Sequence, residues 1–122
     1  MKAFWVLACV IPLMACEEVL EVAEEADVRV EADDDALIVT NGRWHRIFYY
    51  AVDAEAPIVP WSPCIETSSC PSLPPQTITR VPYSQVRGGN TGNDILFYWW
   101  QVTVRAESAQ VDAVHMLRVR RR

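Results

Sequence analysis

The 122 residues carry a formal net charge of −5, from 16 acids against 11 bases, and 51% of them are apolar. That proportion excludes a disordered chain, and the length suits one small domain and not two. The only lysine is Lys2, so beyond the first residues Schiff-base chemistry and lysine-activated nucleophiles are excluded.

Met1-Lys2 supplies one positive charge, and the apolar run "AFWVLACVIPLMA" follows it. This is the pattern of a secretory signal, residues 1–15, and falls short of the roughly 20 apolar residues that span a bilayer. Leu13-Met14-Ala15-Cys16 resembles the lipobox, in which a hydrophobic residue and then a small one precede the cysteine that is acylated. Cleavage after Ala15 and lipidation of Cys16 are therefore expected; Cys9 has too little apolar chain before it to compete. Each buried CH₂ of an acyl chain contributes about 0.8 kcal/mol, so the chain would be anchored to a membrane through Cys16 without spanning it. Cys64 and Cys70 would then lie where oxidation is permitted. Glu17 in place of an aspartate after Cys16 tilts the expectation towards the outer membrane, facing the periplasm.

Residues 17–35 hold ten acids against Arg29, whereas residues 36–122 hold six acids against nine arginines. The concentration of charge in "EEVLEVAEEADVRVEADDD" predicts a solvated tether over residues 16–35. Val19, Val22, Ala23 and Ala26 also fall at helical spacing, while Val28 and Val30 alternate as in an edge strand.

From Ala36 short runs rich in β-branched and aromatic residues alternate with Gly, Pro, Asn and Ser, the texture of an all-β domain. "ALIVT" leads into Asn41-Gly42, a strong hairpin signal, with "HRIFYYAVD" as the return strand. "IVPW" (58–61), "QTITRVPYS" (76–84), "DILFYWWQVTVR" (94–105) and "VDAVHMLRVR" (111–120) complete six or seven strands, with "GGNTGN" and "AESAQ" as connections. The spacing predicts a small two-sheet sandwich of immunoglobulin or fibronectin type III type over residues 36–122. Residues 94–105 read as a central strand, greasy on both sides at its start. The alternation of Gln101 and Thr103 with Val102 and Val104 marks Leu96, Tyr98, Trp100, Val102 and Val104 as its inward face.

Cys64 and Cys70, in "WSPCIETSSCPSLPP", enclose a short serine-rich loop that can return its Cα atoms to disulfide range. A structural disulfide is the expectation; a redox pair or a metal clip is the alternative. The C-x₅-C spacing matches neither the C-x-x-C redox motif nor the common zinc knuckles. His45, His115 and Met116 lack the cysteine-to-histidine spacing of a copper site. Asp53 and Glu55, at i and i+2, are placed as solvated acids and not as a catalytic pair. "RGGNTG" lacks the lysine and helix of a phosphate loop, and no G-x-S-x-G or H-E-x-x-H motif occurs.

Two binding features outweigh any catalytic one. Trp44, Trp61, Trp99, Trp100 and six other Phe and Tyr rings are many for one sheet interface; Trp99 and Trp100 are the candidate platform for a sugar, peptidoglycan or protein partner. Arg118, Arg120 and Arg122 share one strand face, suited to anionic headgroups or to the acidic segment. Nucleic acid is not expected as a partner outside the cytoplasm, and no cofactor is implied.

The pieces "IFYYAV", "WSPCIETSSCPSLPP", "VPYSQV" and "LFYWWQV", spread in this order over residues 37–119, resemble a group of small bacterial lipoproteins that share a short β-sandwich domain of fibronectin type III or immunoglobulin appearance. The resemblance implies the same sandwich and the pairing of Cys64 with Cys70, and brings no activity with it. The expected protein is a lipid-anchored, non-enzymatic binding module of the cell envelope. A thiol-redox enzyme using Cys64 and Cys70, or an inhibitor of an envelope protease or wall hydrolase presenting the loop between them, is the alternative.

Overall fold

The computed structural model describes residues 22–57, 60–66, 69–88 and 94–121. The signal segment, Cys16 and Arg122 lie outside them. Among the described residues ten strands form the architecture: β1 (Val22–Glu25), β2 (Val28–Ala32), β3 (Ala36–Asn41), β4 (Ile47–Asp53), β5 (Ser72–Leu73), β6 (Thr77–Pro82), β7 (Ile95–Trp100), β8 (Val102–Arg105), β9 (Ser108–Val111) and β10 (His115–Val119). One sheet has the order β1-β2-β3-β6, the second β10-β7-β4-β5, and β8 and β9 form a separate ribbon. With β2, β3 and β6 read as strands A, B and E, and β4, β7 and β10 as C, F and G, the chain is an all-β, immunoglobulin-like sandwich.

Period-two alternation builds the core. Val28, Val30 and Ala32 of β2 and Leu37 and Val39 of β3 face Ile47 and Ala51 of β4, Ile95, Phe97 and Trp99 of β7, and Leu117 and Val119 of β10; all are buried. Cross-strand rows run Ala51–Phe97–Leu117 and Tyr49–Trp99–His115 on the inner face, and Tyr50–Tyr98–Met116 and Val52–Leu96–Arg118 on the outer one.

Four expectations are corrected. The sandwich begins by Val22 and not at Ala36: β1 and β2 extend the first sheet, so residues 22–35 are no tether. Their acids are compatible with a strand because they occupy the outward positions, Arg29 and Glu31 exposed between buried Val28, Val30 and Ala32. The bend Asp33–Asp35 is tied down as well. Arg80 bridges Asp35 at 2.6 Å, and buried Tyr83 donates its hydroxyl to Asp33 O with the guanidinium of Arg121 over its ring at 4.2 Å.

Asn41-Gly42 is not a hairpin turn, because β3 and β4 belong to different sheets. Asn41 is fully buried, and its amide donates to His45 O at 3.0 Å and Pro74 O at 3.0 Å while its Oδ1 accepts from Arg43 N at 3.0 Å. Gly42 lets the crossing chain reach the β1–β2 turn: its N–H donates to Asp27 O at 2.8 Å, and a Cβ there would sit 2.8 Å from that same oxygen. The true two-residue hairpins are Ala26-Asp27, with φ of 53° and 69°, and Ala106-Glu107, with φ of 50° and 67°. Both have the left-handed pair of a type I′ turn.

The long 94–105 strand breaks at Gln101. Its side chain accepts from Arg43 Nε, and the chain beyond leaves the sheet for the β8–β9 ribbon. The inward face is therefore Ile95, Phe97 and Trp99 and not Leu96, Tyr98, Trp100, Val102 and Val104; Val104 is 65% exposed. Finally, Pro60 and Trp61 of the expected "IVPW" strand lie in the loop between β4 and β5.

Candidate functional site

The outer face of β4 and β7 carries a second, smaller core. Phe48, Trp100 and Cys70 are buried there, with Tyr50, Tyr98, Cys64, Val102 and Val111 packed around them. What covers the sheet is the β4–β5 loop, closed by the disulfide Cys64–Cys70 with its Cα atoms 6.0 Å apart. Trp100 Nε1 donates to Cys64 O at 3.0 Å, so the strap is held by a covalent bond and by a hydrogen bond to the sheet beneath it.

Prolines on both sides of Trp61-Ser62 keep this loop out of any ladder and deliver the Trp61 ring onto the face. Its centroid lies 4.7 Å from Tyr50, 5.0 Å from Tyr98 and 5.8 Å from Trp100. Trp61 remains 37% exposed. Beside it lies a cleft of about 150 Å³ walled by Tyr50, Val52, Pro57, Trp61, Leu96 and Tyr98, with the Asp53–Ala56 turn closing one end. Asp53 is 2% exposed, and its Oδ1 accepts from Glu55 N at 2.8 Å; this acid shapes the turn, whereas Glu55 points to water.

Trp99 and Trp100 are 1% and 2% exposed, so neither is a free platform. Trp99 belongs to the main core, stacked on His115 at 4.1 Å with Arg43 over its ring at 5.4 Å. Trp100 belongs beneath the strap. No protein-family model, curated protein or solved structure matches the chain. The residues themselves therefore carry the functional argument.

Arg118 lies on the outer face, half-exposed, with its Nε 3.0 Å from Asp94 Oδ2, and Arg120 is exposed beyond it. The structure thus brings Arg118 to the same face as the cleft, one row from Tyr98, and places Trp99 on the opposite face. Sequence reasoning missed Trp61, Tyr50 and Tyr98 as a group. The signal available was "PWSP", a tryptophan held in a loop by flanking prolines. Among the described residues no group of three His, Cys, Asp or Glu side chains is placed to hold a metal, and Cys64 and Cys70 spend their sulfurs on each other.

Proposed function

We propose that this chain is a bacterial lipoprotein of the cell envelope, anchored through Cys16, whose sandwich is a binding module and not an enzyme. Its contact surface is the outer face of the β10-β7-β4 sheet around Trp61. The single observation that carries the reading is that the three rings of Trp61, Tyr50 and Tyr98 border an open cleft, while every other large ring of that face is covered. Rings with a wet edge and a packed body are what binding surfaces use.

Mass spectrometry of the membrane-extracted protein tests the address: a diacylated Cys16 N-terminus is expected, and an intact Met1 start without fatty acid would remove it. Capture of envelope fractions by the full chain tests the module. Binding lost on Trp61→Ala and kept on Trp44→Ala is the expected result.

A second reading, an inhibitor presenting the disulfide-closed loop, draws on Ile65, which stands 44% exposed immediately after Cys64. Inhibition of an envelope protease or wall hydrolase that Ile65→Asp abolishes would favour it. The redox alternative is disfavoured by the burial of Cys70 against Phe48 and Trp100; rapid thiol exchange by the folded protein would revive it.

A further inference from the structure

We infer that the Trp61 cleft binds one ring of a neutral saccharide, an inference that rests on the binding-module reading and names its ligand. Size comes first. At about 150 Å³ the cleft is well below the roughly 300–1,000 Å³ of sites for drug-sized ligands, and has room for a single ring or side chain.

The polar atoms of the rings decide the chemistry. Two aromatic donors elsewhere are used, Trp100 Nε1 on Cys64 O and the Tyr83 hydroxyl on Asp33 O. Trp99 Nε1 is sealed in the core without a hydrogen-bond partner among the described residues, and so is out of reach of any ligand. Tyr50, Tyr98 and Trp61 make no side-chain hydrogen bond to any described residue, although their rings touch one another. The cleft thus offers flat apolar faces rimmed by two hydroxyls that both donate and accept, and by one indole N–H. A pyranose presents the matching surface, C–H groups on its faces and hydroxyls of both capacities round its edge. A proline ring would stack equally well, but its backbone brings acceptors without donors there.

Charge points the same way. Among the described residues lining the cleft Asp53 is the one that carries charge, and it is buried and bonded to its own turn. Of the two arginines that neighbour it along the sheet, Arg118 is paired with Asp94, and Arg87, bridged to Val52 through its backbone, lines a separate cleft with Tyr49 and Gln85. No described residue lining the cleft offers a positive charge to an anionic ligand, and Asp53 is not exposed to meet a cationic one.

The test is calorimetric titration of the full chain, in a detergent without a sugar headgroup, with cellotetraose, with the fully N-acetylated chitotetraose and with a decaproline peptide. Saturable binding of at least one tetrasaccharide is expected. Trp61→Ala should weaken it about tenfold, and Tyr98→Phe, which keeps the ring and removes one hydroxyl, roughly threefold. Trp44→Ala should leave it unchanged. If Trp61→Ala disturbs the near-ultraviolet dichroism of the fold, Tyr98→Phe and Tyr50→Phe carry the comparison. Absence of binding to both tetrasaccharides, binding indifferent to these substitutions, or preference for decaproline would each overturn the inference. Trp61-dependent capture of envelope material with which neither tetrasaccharide competes would refute the saccharide and leave the module standing; no capture at all would refute both.

Discussion

Trp100 and Cys64 are joined by a 3.0 Å hydrogen bond from the indole N–H to a backbone carbonyl, six residues from where the disulfide partner Cys70 closes the loop. The strap over the outer sheet is therefore fixed twice, once to itself and once to β7. Replacing both cysteines with serine should cost about 2 kcal/mol through the restored freedom of the unfolded loop. Trp100→Phe should cost about 1–3 kcal/mol through the part-buried carbonyl it leaves without a partner. Urea unfolding of the two variants and their combination checks this. Because both act on one strap, the combined loss should differ from the sum of the separate losses.

The four tryptophans among the described residues, Trp44, Trp61, Trp99 and Trp100, should also sort by depth. Trp99→Ala and Trp100→Ala each empty a fully buried site and should lose about 3–5 kcal/mol. Trp61→Ala, with the ring already 37% exposed, should lose about 1 kcal/mol, and Trp44→Ala, at 80% exposed, should fall within about 0.5 kcal/mol of the parent. Thermal unfolding of the four variants gives the ranking directly. A costly Trp44→Ala would mean that the β3–β4 crossing is packed differently.

How far these placements could be read in advance follows from what local patterns encode. Two-residue alternation and the aromatic, β-branched runs made the sandwich and its later strands legible, and the short spacing of Cys64 and Cys70 announced their bond. Charge misled for residues 22–35, because a strand with one wet face needs only Val28, Val30 and Ala32 to be apolar. Asn41-Gly42 misled because an asparagine that serves three backbone carbonyls inside the domain looks, in sequence, like one that turns a hairpin. Trp99 and Trp100 were beyond local reading. Both faces of β7 are covered, one by the opposite sheet and the other by a loop that starts more than forty residues earlier, and only the tertiary arrangement says which ring meets which cover.

The hairpins the alternation did not reveal offer a gain in stability. Ala26 and Asp27 both stand in the left-handed region, at φ of 53° and 69°, where a Cβ-bearing residue is strained by about 1–2 kcal/mol. Asn-Gly suits both positions of such a turn. Ala26→Asn combined with Asp27→Gly should therefore raise the unfolding free energy by about 1–2 kcal/mol, since the contacts made there, Arg43 Nη1 to Ala26 O at 2.9 Å and Gly42 N to Asp27 O at 2.8 Å, use backbone oxygens that persist in the variant. A lower melting temperature would show that the side chain of Asp27 contributes more to the turn than its conformation costs.

Tyr49 provides the pH dependence. It stacks on Phe97 at a centroid distance of 5.5 Å, half-buried against the main core, and burial raises its pKa above the ordinary 10.0 by disfavouring the phenolate. The folded chain thus holds the Tyr49 proton more tightly than the unfolded chain does. The stability linked to it is present in full below pH 10, where both states are protonated. It declines as pH rises past that point, because the unfolded state sheds its proton first, and it is lost once pH passes the folded pKa. Tyr49→Phe cannot ionise, so the difference between parent and variant in urea unfolding should stay constant from pH 7 to about 9.5 and then shift in favour of the variant. Ultraviolet titration at the phenolate band should in parallel lose one late-titrating tyrosine. A difference that stays flat through the alkaline range would mean that the Tyr49 hydroxyl reaches water in the folded protein, and that the Tyr49–Phe97 edge of the core is open.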